Sequence, residues 1–161
     1  MRPRVGWDEG FEEASRRVAA STLAVARRRG LVDVGYATLD SPVGRLLVAS
    51  TRRGLVRVEF LDGDPDEVLE ELAETISPRI LEDPERTEPA RRQLDAYFAG
   101  TRTTFDLPLD LRGTPFPQAA CLALAEIPFA ETRTYAEQAA RLGRPRAFRA
   151  VGAANGRNPL P

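Results

Sequence analysis

The residue types that could act on a partner gather in one stretch, Glu131 to Pro161, ETRTYAEQAARLGRPRAFRAVGAANGRNPLP. Arg149, Gly152, Ala153 and Gly156 fall at i, i+3, i+4 and i+7, so on a helix they share one face. That face carries one long cation and otherwise almost no side chain. Glycine inside a helix costs about 1 kcal/mol relative to alanine. Close approach to a backbone or a groove is one reason for a chain to bear that cost. Arg149 either reaches out from this face or pairs with Glu137 or Glu131. Tyr135 is a tyrosine that could simply stack between helices, and Thr134 before it is placed to cap. Asn158 heads the turn signal Asn158-Pro159-Leu160-Pro161. Cys121 is the only thiol and must be weighed as a nucleophile. It sits among Ala119, Ala120, Leu122 and Leu124, and the chain has no histidine to serve as its base. No cation or helix N-terminus stands close in sequence to lower its pKa. It reads as a small core residue, and no catalytic residue is assigned to the chain.

These residues need two short helices to hold them. Thr134 and Glu137 have the spacing of a capping box, in which hydroxyl and carboxylate satisfy each other's backbone amides. The first helix then runs from Tyr135 to Leu142 and stops at Gly143, a residue suited to the left-handed C′ position. Pro145 is expected at the first position of the second helix, which Gly156 ends. Ala147, Val151 and Ala154 face the first helix. Two short helices across a tight glycine turn read as a helix-turn-helix. Thr114 and Pro115 open a helix before it, with Phe116, Ala120, Ala123 and Leu124 inward, ended by Ile127-Pro128-Phe129.

Upstream, residues 7–29 read as a helix with Trp7, Phe11, Ala14, Val18 and Val25 on one face and Gly30 as its stop. Three strands follow, Val34–Leu39, Arg45–Ser50 and Leu55–Phe60. Asp64 is expected to cap a helix that has Pro65 at its first position and buries Val68, Leu69, Leu72 and Ile76. A loop over residues 77–87 precedes another helix with Ala90, Leu94, Tyr97 and Phe98 inward, closed by Gly100. Phe105, Leu107, Leu109 and Leu111 alternate as a last strand, which Pro108 marks as an edge.

The chain has 161 residues, 42% hydrophobic and 29% charged, enough for one large or two small domains with a real core. All 23 basic residues are arginine, and the net charge is −1. Residues 111–161 hold seven Arg against three Glu, a balance of +4, which suits phosphate contact. One cysteine and no histidine argue against a disulfide and against a metal site. No cofactor is expected. No apolar run approaches the roughly 20 residues that span a bilayer, so no membrane association is expected and the default location is cytoplasmic.

The stretch RTYAEQAARLGRPRAFRAVGAANGRNPLP, with GTPFPQAACLALAEIPFAETRTY before it and more loosely SPVGRLLVAS, resembles the methylated-DNA–protein-cysteine methyltransferases, which repair 6-O-alkylguanine. The resemblance implies an α+β fold. Residues 34–111 would form a ribonuclease-H-like scaffold domain, and 112–161 a winged-helix-like (helix-turn-helix) DNA-binding domain, incomplete at its C-terminus. Residues 1–33 are left as a helical extension. The implied partner is double-stranded DNA with an alkylated guanine, engaged by a monomer. The resemblance makes Tyr135 the residue that crowds the phosphate beside the lesion. Arg149 becomes the finger that fills the emptied stack, while Gly152, Ala153 and Gly156 admit the helix to a minor groove. Thr134 would touch phosphate, and Asn158 would be the hinge to the active-site loop. Ala130 and Phe148 depart from a glycine and a small residue common in the family, and Cys121 stands where the family often has tryptophan. In the family an acceptor cysteine follows the Asn-Pro-x-Pro turn within a few residues. The chain given ends at Pro161, so the expectation is a truncated, inactive member that keeps the DNA-reading half. The alternatives are a non-enzymatic, alkyltransferase-like lesion binder or a plain helix-turn-helix module.

Overall fold

The structure, a computed structural model, describes residues 8–161. Ten elements follow one another: α1 (Asp8–Arg28), β1 (Val34–Ser41), β2 (Gly44–Ser50), β3 (Leu55–Leu61), α2 (Asp66–Thr75), β4 (Ile80–Glu82), α3 (Pro84–Phe98), α4 (Pro115–Leu124), α5 (Tyr135–Arg141) and α6 (Phe148–Asn155). The strands form a four-stranded sheet in the order β3-β2-β1-β4. The first three make an antiparallel meander, and β4 joins β1 in parallel.

Strand β2 shows why the sheet is covered on both sides. Leu46, Leu47, Val48 and Ala49 are all buried, and successive side chains point to opposite faces. Leu47 and Ala49 join Val34, Val56 and Leu72 beneath α2. Leu46 and Val48 join Leu39, Leu55 and Ala90 beneath α3. The result is a helix–sheet–helix sandwich.

Several sequence expectations are corrected here. Residues 77–87 are not one loop, because β4 and the first turn of α3 lie within them. Asp83, fully buried, accepts from the Arg86 amide as the N-cap of α3. Asp64 does not cap α2, whose N-cap is Pro65 without a side-chain bond. The stretch from Phe105 to Leu111 is not a strand; it makes a single parallel bridge, Leu55 to Leu109. Its backbone still matters, because the Leu55 amide donates to the Pro108 carbonyl at 2.8 Å and the Asp110 amide to Leu55 at 2.8 Å. Gly54, at φ +148°, lies so close to the Pro108 carbonyl that no Cβ would fit.

The apolar stripe expected to bury α1 does not do so. Ala14 is exposed, Val18 is 66% exposed and Val25 36%. Trp7 lies outside the described residues. The C-terminal end of α1 is tied down by Arg27, whose guanidinium meets Asp83 (Nε to Oδ2, 2.8 Å) and Glu85.

Helices α4, α5 and α6 form the second unit, with α6 packed on the other two. It joins the sheet through the chain's last residues: the Val58 amide on edge strand β3 donates to the Pro159 carbonyl at 2.9 Å, and Leu160 packs with the cluster under α3.

Candidate nucleic-acid interface

Helix α5 begins as its sequence dictates. The Glu137 amide donates to Thr134 Oγ1 at 3.2 Å, and the Thr134 amide donates to Glu137 Oε2 at 2.8 Å. The Thr134 hydroxyl donates to the same carboxylate oxygen at 2.7 Å. These bonds, the hydroxyl's foremost, hold the Glu137 carboxyl below its ordinary range. Thr134 is thereby committed to capping.

The helix ends in a Schellman motif. Gly143, at φ +68°, donates to the Ala140 carbonyl at 3.0 Å, and Arg144 donates to Ala139 at 2.9 Å. A β-turn follows at once, closed by the Ala147 amide on the Arg144 carbonyl at 2.8 Å. Pro145 therefore occupies the second turn position, where its fixed φ fits, and α6 starts only at Phe148. Gly156 is the C-cap of α6 with φ −68°, a right-handed conformation open to any residue.

A buried polar clamp sets the helices against one another. Gln138, 1% exposed, donates from Nε2 to the Ala120 carbonyl at 2.8 Å and accepts at Oε1 from Asn155 Nδ2 at 2.9 Å. One side chain thus links α4, α5 and α6. Arg133 caps the C-terminal end of α4, donating to the carbonyls of Ala123 and Glu126, each at 3.1 Å. Neither residue is conspicuous in sequence, since their partners lie 7 to 18 positions away.

The face expected around Arg149 is partly as foreseen. Val151 and Ala154 are buried, Ala153 and Arg149 are exposed, and Gly152 is half-buried. Gly152 is occupied from within the chain: a Cβ there would lie 3.0 Å from Cε2 and 3.1 Å from Cδ2 of Tyr135. The ring of Tyr135, 52% exposed, thus rests against the glycine. A Cβ at Gly156 would meet only the Gly152 carbonyl, at 3.4 Å. Arg149 takes neither Glu137 nor Glu131 as a partner; its guanidinium carbon lies 5.7 Å from the centroid of the Phe148 ring. Phe148, 44% exposed, therefore contributes to this face.

The charges are unevenly spent. Glu126 lies 3.9 Å from Arg133 and 3.7 Å from Arg141, and Asp110 takes Arg112 at 2.9 Å. Arg144, Arg146, Arg149 and Arg157 are exposed and in no ion pair among the described residues. They stand in the turn before α6, on its first turn and just past its end. Arg144 lies over Phe116, 5.2 Å from the ring centroid. Four free guanidiniums around one short helix make a surface for phosphates.

Asn158 brackets the residue two ahead of it: Nδ2 donates to the Leu160 carbonyl at 2.7 Å, and the Leu160 amide donates to Oδ1 at 3.1 Å. Ala130 holds φ +64°, a left-handed conformation that suits glycine. Cys121 is half-buried in α4, and burial pushes its thiol above the ordinary range.

Comparison with known proteins agrees with this geometry. Residues 34–111 match the 6-O-methylguanine DNA methyltransferase, ribonuclease-like domain, and residues 115–161 match the 6-O-methylguanine DNA methyltransferase, DNA binding domain. A methylated-DNA–protein-cysteine methyltransferase of Methanosarcina barkeri is 44% identical over 125 residues, covering 78% of this chain and 75% of the relative. The constitutive enzyme of that name from Bacillus subtilis is 42% identical over 130 residues, covering 78% and 74%. The crystal structure of Mycobacterium tuberculosis O6-methylguanine methyltransferase is similar with a TM-score of 0.67 and 42% identity, over 80% of this chain and 73% of that one. The OGT of the same organism in complex with DNA gives 0.65 and 43%, over 78% and 71%.

Proposed function

This chain belongs to the 6-O-methylguanine DNA methyltransferase family of DNA-repair proteins, its second unit being the DNA-binding domain, and we propose from that premise that the α5–α6 face engages duplex DNA at an alkylated guanine. The observation that carries the proposal is the packing of Tyr135 on Gly152, one helical turn from an unpaired Arg149. An alkyl group on a stacked guanine is out of reach for chemistry or inspection, so the base must leave the stack. Tyr135 supplies an exposed ring, held at its back by Gly152, to crowd the phosphate beside the lesion. Arg149 supplies a planar cation of the right size to occupy the gap. Ala153 and Gly156 leave α6 thin enough for a minor groove. Thr134, whose hydroxyl is already bonded to Glu137, reaches phosphate only at the edge of the face. Asn158 acts as the hinge, its side chain fixing the backbone of Leu160 next to the Pro159 carbonyl that meets β3.

The division of labour follows. Residues 34–111 are scaffold, residues 112–161 meet the DNA, and one chain serves one lesion, because every group named lies within a single copy. The place of work is that of the DNA, the cytoplasm in a cell without a nucleus. No helix among the described residues is long and apolar enough to cross a membrane.

Base extrusion can be read directly with 2-aminopurine placed beside 6-O-methylguanine in a duplex. Binding is expected to raise its fluorescence through unstacking, and Tyr135→Ala to remove most of that rise while leaving the chain folded. An undiminished rise with Tyr135→Ala would overturn the role given to the ring.

A further inference from the structure

The greater part of α1 stands in water. Residues 13–15 and 17–22 are all exposed, and among the described residues the polar contacts that tie the helix down are those of Arg27. In proteins most helical stability comes from packing of an amphipathic face, and Ser15, Val18, Ser21 and Thr22 are weak helix formers. A second surface is therefore needed to sustain it. Two features of its sequence say which. Ala14, Val18, Ser21 and Val25 are spaced by 4, 3 and 4 residues, the seam of a coiled coil. Charge is also segregated along the helix. Asp8, Glu9, Glu12 and Glu13 fill its first turns, and the charged residues after them, Arg16, Arg17, Arg27, Arg28 and Arg29, are all basic.

We propose that α1 is the surface through which two copies of this chain associate, seam to seam and antiparallel. The register that keeps seam on seam sets Ala14 opposite Val25 and Val18 opposite Ser21, and brings the acidic start at Asp8 beside Arg28 and Arg29 of the other copy. A parallel pair would instead lay acid on acid and arginine on arginine. The other occupants of an amphipathic face fit poorly. The first turns are acidic, which repels both an anionic lipid surface and DNA, and the seam of Ala, Val and Ser is too slight to insert into lipid. The fold leaves room for the pair. Arg27 anchors α1 beside β4, at the opposite edge of the sheet from β3, which receives the C-terminal segment. Both α5–α6 faces stay open, so each copy still serves its own lesion.

Sedimentation equilibrium of the full chain over about a hundredfold range of concentration tests this. The weight-average mass is expected to climb from 17.7 kDa toward twice that value. Val18→Asp and Arg28→Glu should each weaken association by at least about tenfold. Adding Asp8→Arg to Arg28→Glu should restore it. Both Val18 and Arg28 are exposed, so an unchanged thermal transition verifies that the variants fold. A mass fixed at 17.7 kDa at every concentration overturns the proposal. So does a two-chain mass indifferent to both variants, or capture of the one-chain form by phosphatidylserine vesicles that Val18→Asp abolishes.

Discussion

Gly152 answers to a neighbour before it answers to DNA. The residues at i, i+3, i+4 and i+7 from Arg149 suggest a stripe kept bare for a groove, yet the space over Gly152 is filled by Tyr135. The glycine is a seat, and the ring it seats is the part that faces outward. Gly152→Ala separates the two roles. Alanine favours a helix by up to about 1 kcal/mol over glycine, and the exposed ring of Tyr135 can yield the few tenths of an ångström that a methyl requires. Thermal stability should therefore hold or rise slightly. Affinity for duplex DNA should fall several-fold, because the ring is pushed off its position. Paired melting and binding curves check this, and a loss of stability with intact binding would reverse the assignment. Ala130 is the counterpart at a loop, a non-glycine residue at φ +64° that carries local strain of about 1 kcal/mol.

At the level of helices, the clamp of Gln138 to Ala120 and Asn155 sets how α6 is presented. Gln138→Ala leaves the Asn155 amide without its acceptor and opens a cavity at the meeting of three helices. The expected cost is about 2–4 kcal/mol, read by urea unfolding. Interactions of short sequence reach were legible beforehand. Thr134 and Glu137 form their capping box because both partners lie within one turn. Gly143 is left-handed because the Schellman ending needs it. Pro145 lies in a turn and not in α6, because that ending and the next β-turn share Arg144, which delays α6 to Phe148. The three residues of β4 are too few to show a period, and the Gln138–Asn155 bond spans 17 positions with no pattern to announce it. The stripe on α1 is apolar in sequence, yet Ala14, Val18 and Val25 stand exposed, because a period shows a face and not what lies against it. The face around Arg149 was legible through spacing, whereas the use of Gly152 by Tyr135 needed coordinates.

For the whole molecule, the two units meet at the edge of β3, and a buried carboxylate stands where that strand begins, its own amide bonded to the Leu55 carbonyl. Asp110, 1% exposed, accepts from Thr51 Oγ1 at 2.7 Å and from Arg112 at 2.9 Å, with Arg53 Nε at 3.4 Å. Burial alone would raise its pKa, but the bonds from Thr51 and Arg112 outweigh it and hold the carboxyl below the ordinary 3.8. A carboxyl lowered in the folded state stabilises fully above its unfolded pKa. That contribution fades as pH falls through the unfolded value toward the folded one. Stability is thus expected to be level near neutrality and to drop below about pH 4. Asp110→Asn should flatten part of that acid slope in pH-dependent melting, while leaving DNA affinity per chain unchanged. Around α6 the molecule carries four exposed arginines in no ion pair among the described residues. Binding is then expected to weaken with salt as phosphates displace counterions, with a log–log slope of about −3 to −4 if all four unpaired arginines engage.

The central claim is that Arg149 works at the lesion, and fluorescence anisotropy addresses it most directly. Duplexes with and without one 6-O-methylguanine are titrated with the unchanged chain and with Arg149→Ala at low and moderate salt. The account expects tighter binding to the lesion duplex, and a loss of about tenfold with Arg149→Ala that is larger for that duplex than for the unmodified one. Equal binding by the two proteins to both duplexes would contradict it.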